Sequence, residues 1–339
     1  MQKGRVRMNM TEWLAAAPSR HKPMPVLSFP GAQITGATIR ELVHSGARQA
    51  ECMKAIAERY DMLASVSLMD LSVEAEAFGS PIRFSDDEMP AVTGAVIRDE
   101  PDVGKLRVPA VGAARTGEYI DAIRRAKILI TDRPILAGSI GPFSLAGRLM
   151  DMTEIMVLCY EEPEMVHATL EKVTQFLTAY NMAFREAGAD GILMAEPAAG
   201  LLSPALIAEF STPYVKRIID AVQADDCAFI YHNCGRTIPL VGSILETGAR
   251  AFHFGNAIDL AEMLPLIPTG FPVFGNVDPA GQICGGSPES VRRATLDVLG
   301  RCAQYPHFVL SSGCDIPPAA PMENIDVFFE MAKNFYINR

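Results

Sequence analysis

The chain has 339 residues, 49% hydrophobic and 21% charged, with 30 Lys+Arg against 40 Asp+Glu and hence a formal charge of −10. The apolar share suffices for a sizeable core and excludes a disordered chain, and the acidic balance argues against binding nucleic acid or an anionic membrane surface. No run approaches the roughly 18–20 apolar residues of a bilayer span, and the seven scattered cysteines show no disulfide framework, so a soluble, cytoplasmic protein in a reducing compartment is expected.

The N-terminal segment, about 1–24, opens MQKGRVRMNM and continues TEWLAAAPSRHKP, without the apolar core and cleavage site of a signal peptide. Apolar runs follow at 25–30 (PVLSFP) and 62–68 (MLASVSL). Residues about 70–130, containing SVEAEAFGSPIRFSDDEMPAVTG, read as an insertion of hairpin or irregular loops after the second strand. Six more runs come at 134–142, 191–197, 228–234, 251–256, 272–277 and 308–313. Amphipathic helical patterns at 165–186, 204–223, 240–247, 288–302 and 322–335 alternate with them.

Short apolar runs alternating with helices predict a parallel sheet, and eight strands close a (β/α)8 TIM barrel, here a single domain over 1–339. The competing doubly wound fold would want a glycine fingerprint after the first strand, and GAQITG lacks the G-x-G-x-x-G spacing. In a barrel the active site gathers at the C-terminal strand ends. Those ends carry Glu196, His232 with Cys234, Asn256, Asn276 and, just past the eighth, Cys314.

His232 and Cys234 stand at i and i+2, on one face of a strand. With Cys314 they offer one nitrogen and two sulfurs, a donor set that suits zinc and leaves a fourth position for substrate. Taken alone, a packed barrel histidine with two buried thiols explains the pattern equally well. Cysteines 52, 159, 227, 284 and 302 have no such company and read as packing. Glu196 is expected at the metal site, as a fourth ligand or an outer partner, against a simple loop charge. Asp70, ending the second run, lines the mouth as a catalytic carboxylate or caps a local turn. Asn256, Asn276 and His253 are the candidates for binding a polar substrate; the alternatives are loop-backbone partners for the asparagines and a packed imidazole, the favoured reading, for His253.

The element order resembles the uroporphyrinogen decarboxylase family. The resemblance covers essentially the whole chain and rests on Val73-Glu74-Ala75-Glu76-Ala77-Phe78-Gly79, Gly141-Pro142, Glu186-Ala187-Gly188-Ala189-Asp190 leading into Met194-Ala195-Glu196-Pro197, and His232-Asn233-Cys234-Gly235. Gly275-Asn276-Val277 and Gly313-Cys314-Asp315-Ile316-Pro317-Pro318 through Pro321-Met322-Glu323-Asn324 complete it. The branch it looks like most is that of the zinc methyltransferases, which move a methyl group from a methylated corrinoid protein to a thiol such as coenzyme M.

That resemblance implies zinc at His232, Cys234 and Cys314, a methylcobalamin or other methylated corrinoid as donor on a partner protein docked over the mouth, and a thiolate nucleophile with cobalt(I) corrinoid as leaving group. Two departures matter. Glu196 stands where that branch tends to have aspartate, and Arg48-Gln49-Ala50-Glu51-Cys52 breaks the Arg-Gln-Ala-Gly-Arg signature of the decarboxylases. Asp70, about where the decarboxylases place their catalytic aspartate, keeps decarboxylation as an alternative. Methylation of the corrinoid from an O-, N- or S-methyl or methyl-halide donor is a second, and a binding module with structural zinc a third.

Overall fold

The structure is a computed structural model and describes residues 8–337; the first seven residues, which open the N-terminal segment read above for a leader, lie outside the described residues. Nine strands occur among the described residues: β1 (Ser65–Val66), β2 (Ile82–Arg83), β3 (Ala91–Val92), β4 (Ile135–Ile140), β5 (Gly191–Ala195), β6 (Ala228–Asn233), β7 (Ala251–Phe254), β8 (Val273–Val277) and β9 (Phe308–Ser312). Seven form one parallel sheet in the order β1-β4-β5-β6-β7-β8-β9.

The gap between β9 and β1 is filled by the chain at 23–26. Met24 N donates to Leu310 O at 2.9 Å, Val26 N to Ser312 Oγ at 2.9 Å, and Leu63 N to Pro23 O at 3.0 Å. This stave corrects the first predicted strand, placed at 25–30. Pro23 and Pro25 have no N–H to give, so the segment makes too few ladder bonds to count as a regular strand although it lies in a strand's place.

Alternation along each strand divides the apolar residues into two sets. Val66, Leu136, Leu193, Ile230, Phe274 and Val309 fill the barrel interior, while Ile135, Ile192, Phe229, Phe252 and Val273 face the helices. Helix Met10–Ala16 closes one end, with Met10, Trp13 and Leu14 joining the interior cluster. Its start is fixed by Asn9, whose side chain accepts from the Thr11 and Glu12 amides.

The helical patterns are present with two differences. The 204–223 stretch is two helices, Pro204–Phe210 and Thr212–Val222, because Pro213 supplies no N–H to continue the first. The 70–130 segment holds the antiparallel pair β2–β3 and also helices Val73–Ala77, Glu100–Lys105 and Thr116–Leu129. In the last of these Tyr119, Ile120, Ile123 and Ala126 recur at helical spacing and are buried. Among the described residues no helix is long and apolar enough to cross a membrane.

Candidate metal centre

On β6, Ala228 and Ile230 point into the barrel, so His232 and then Cys234 continue the same inward face up to the mouth. Cys314 arrives from the turn after β9. Two glycines let these strand ends close in. A Cβ built on Gly255 would lie 2.5 Å from Cys234 Cα and 3.0 Å from Gly313 O, and one on Gly313 would lie 2.8 Å from Asn256 N. Backbone blocks both positions, so only glycine fits there. As a result His232 Nε2 lies 3.5 Å from Cys314 Sγ, and the ligand atoms of His232, Cys234 and Cys314 all fall within 4.8 Å of one another.

The hydrogen-bond network assigns the protons. Ser311 Oγ donates to Met24 O at 2.7 Å, which leaves it an acceptor for His253 Nε2–H at 2.8 Å. His253 Nδ1 is then bare and accepts from His232 Nδ1–H at 2.7 Å; the carbonyl of His253, which can only accept, lies 3.3 Å from the same nitrogen. His232 therefore presents the lone pair of Nε2 to the cluster. An imidazole whose second nitrogen is tied down in this way is the usual arrangement of a metal-ligating histidine. The hydrogen bond from Cys314 holds Cys234 well below the usual thiol range, and the Cys234 thiolate in turn pushes Cys314 well up. Tetrahedral zinc with two sulfurs and one nitrogen wants ligand atoms about 3.5–3.8 Å apart. The donor types, the tautomer and the 3.5 Å between His232 Nε2 and Cys314 Sγ fit that ion.

The other candidates fall elsewhere. Glu196 is fully buried and is not part of the cluster. Its oxygens accept from Phe143 N at 2.7 Å, Ser144 N at 2.9 Å and Ser211 Oγ at 3.0 Å, capping helix Pro142–Met150. Burial pushes its carboxyl above the ordinary value against these bonds. This departs from the expected place at the metal: the carboxylate is spent on a helix start. His253 is 0% exposed and stands behind His232, so it reaches no substrate; the packed imidazole is what the structure contains, with a defined partner on each side. Asn276 donates to Gly255 O and Ile258 O, both at 3.0 Å, holding the loop after β7 rather than a ligand. Asn256 is exposed and packs against Gly313.

Asp70 does reach the mouth. It borders a cavity of about 190 Å³ that also touches His232, Cys234 and Cys314. Its oxygens are taken, however: Arg115 Nη1 lies at 2.5 Å, Tyr119 OH at 2.8 Å, and Ser72 Oγ at 2.6 Å. Arg115 and Ser311 were missed in the sequence, as was Arg148, which borders the same cavity. Ser311 had a signal, since it shares the inward face of β9 with Val309. Arg148 had one too, as the lone charge of PFSLAGRLM.

The URO-D (uroporphyrinogen decarboxylase) family pattern matches residues 22–335. The chain belongs to the uroporphyrinogen decarboxylase family. It is 30% identical to the methylcobamide:CoM methyltransferase MtbA of Methanosarcina acetivorans, over 93% of this chain and 95% of that one. It is 28% identical to the uroporphyrinogen decarboxylase of Coxiella burnetii, over 82% of this chain and 79% of that one. A solved methyltransferase from Methanosarcina mazei superposes with a TM-score of 0.85 over 97% of this chain and 99% of that chain at 23% identity, which establishes the shared barrel fold.

Proposed function

We propose that this member of the family is a zinc-dependent methyltransferase that moves a methyl group from a corrinoid, carried on a partner protein, to a small thiol. The observation that carries the reading is the cluster of His232, Cys234 and Cys314 at the barrel mouth, with His232 Nε2 left free by the His253–Ser311 chain. The similarity to MtbA supports it.

A dipositive ion there, offset by two thiolates, would supply the charge that holds an incoming thiol as thiolate at neutral pH. The protein's own groups do the rest. His232 and the two cysteines fix where the substrate sulfur rests, and the apolar walls at Val26, Met69 and Leu71 exclude water from it. The cavity, about 190 Å³, takes a small molecule and not a corrinoid macrocycle, so the corrinoid sits over the mouth. As the sulfur–carbon bond forms, the cobalt–carbon bond breaks and its electron pair stays on cobalt. Porphyrinogen decarboxylation fits less well, because the cavity is small and Asp70 is already saturated by Arg115, Tyr119 and Ser72.

Elemental analysis of protein made with zinc should find about one ion per chain, lost in Cys234→Ala and Cys314→Ala, and the zinc protein should demethylate methylcobalamin when a thiol is added. Well-folded protein without metal would sink the reading. A zinc protein that instead methylates cobalt(I) corrinoid from an O-, N- or S-methyl compound, and spares methylcobalamin, would assign the opposite half-reaction.

A further inference from the structure

Two arginines stand near the cavity, Arg148 on its wall and Arg115 behind Asp70 and Ser72, and they are in opposite states. Arg115 is saturated: Nη1 meets Asp70 Oδ2 at 2.5 Å, Nε meets Glu76 Oε2 at 2.6 Å, Nη2 meets Ser72 Oγ at 2.8 Å, and the guanidinium lies 4.8 Å over the Phe84 ring. Arg148, in the last turn of helix Pro142–Met150, is only partly exposed and faces the cavity. No carboxylate, carbonyl or hydroxyl among the described residues makes a hydrogen bond or ion pair with it.

A guanidinium has five N–H donors and cannot shed its charge, so holding one half out of water without acceptors is costly. Burial lowers the Arg148 pKa, and only the fields of Asp70 and Glu74 oppose it. Asp70 is matched by Arg115, and Glu74 is a buried carboxyl pushed up to about 7, one oxygen bonded to the Ile140 amide at 3.1 Å. Asp315, the other carboxyl on the cavity wall, accepts from Ser28 Oγ at 3.4 Å and makes no ion pair with Arg148. Arg148 is thus a positive charge without a bonded partner among the described residues, on the wall of the same chamber as the metal-ligand cluster.

We propose that Arg148 binds the anionic end, a sulfonate or a carboxylate, of the small substrate whose reacting end lies at His232, Cys234 and Cys314. The planar guanidinium fork matches either group with two parallel hydrogen bonds. Between the ends the cavity wall is apolar, with Met69, Leu71 and Pro90, and suits a short aliphatic spacer. The identity of the reacting end as sulfur rests on the function proposed above; the anion site does not.

Binding separates the two ideas. Ligand-observed NMR on metal-free protein with ethanesulfonate and propionate tests the anion site alone. Titration of zinc-loaded protein with 2-mercaptoethanesulfonate, 3-mercaptopropionate and uncharged 2-mercaptoethanol tests both ends. Arg148→Gln should weaken every acid about 10–100-fold, the worth of a charge-assisted hydrogen-bonded pair, and leave 2-mercaptoethanol unchanged. Arg148→Lys should recover part of the loss, with circular dichroism and zinc content confirming the fold of each variant. The stronger binder of the two acid classes identifies sulfonate or carboxylate. Equal binding of charged and uncharged thiols by the native protein, or an undiminished preference in Arg148→Gln, overturns the anion site. Arg148-dependent binding of the acids with no gain from a thiol on zinc protein overturns the thiol instead.

Discussion

His253 Nδ1 lies 2.7 Å from His232 Nδ1, the two rings meeting edge to face at 74°. The contact works only if one nitrogen carries a proton and the other does not, and Ser311 decides which by receiving the proton of His253 Nε2. A residue with no access to solvent or substrate thereby sets the ligand atom of one that faces the cavity.

His253→Ala removes the acceptor, and with it the preference of His232 for the Nδ1–H tautomer. Zinc affinity should fall about 10–100-fold, the usual cost of losing such an outer partner, read by competition with a chromophoric chelator. Ser311→Ala should give a smaller loss in the same direction. Unchanged affinity in both would show that the cysteines alone hold the ion.

Glu196 caps a helix, so its removal should be felt as stability. Glu196→Ala strands the Phe143 and Ser144 amides and should cost about 2–4 kcal/mol, seen as a lowered Tm or denaturant midpoint, with the zinc content of the folded protein unchanged. Zinc lost from a variant of native stability would instead return Glu196 to the metal.

The contrast between Glu196 and His232 shows what the sequence could carry. The strand pattern, the mouth-facing parity of His232 and Cys234, and the gathering of strand ends were all legible, because a parallel barrel buries its strands as apolar runs and alternates their faces by rule. The first stave was misplaced because Pro23 and Pro25 hide a strand's place from a strand's bonding. Glu196 was misread because its partners, Phe143 and Ser144, lie more than fifty residues away, where spacing carries no information. Asn276, at a strand end like His232, turned its side chain to backbone carbonyls, a choice made by the loop after β7. Arg148 was overlooked because its significance is a lack of partners, and that is visible only once everything around it is placed.

Glu74 makes stability fall with rising pH. It is 2% exposed, and burial raises its pKa from 4.5 to about 7. The folded state therefore holds a proton that the unfolded chain gives up at lower pH. This contribution is greatest below about pH 4.5 and is lost as pH rises to about 7, a change of about 3 kcal/mol. Urea midpoints at pH 5 and pH 8 should differ in that sense, and Glu74→Gln, which stays neutral throughout, should flatten the difference. A native protein more stable at pH 8 than at pH 5, with Glu74→Gln no different, would contradict the assignment.

Gly255 tests whether the metal centre depends on close backbone approach as well as on its ligands. A methyl group there would lie 2.5 Å from both Cα and Cβ of Cys234 and 3.0 Å from Gly313 O, inside any real contact distance. No flexible side-chain tip is available to yield, so the ends of β6, β7 and β9 must move apart, carrying Cys234 away from Cys314. Gly255→Ala should therefore lower zinc affinity at least as much as His253→Ala while every ligand remains in the sequence. Gly242→Ala, where an added Cβ meets nothing within 4 Å, is the matched control and should bind zinc normally. Should Gly255→Ala hold zinc as tightly as that control, the strand ends have freedom that the close contacts of Gly255 do not suggest, and the ligands alone define the site.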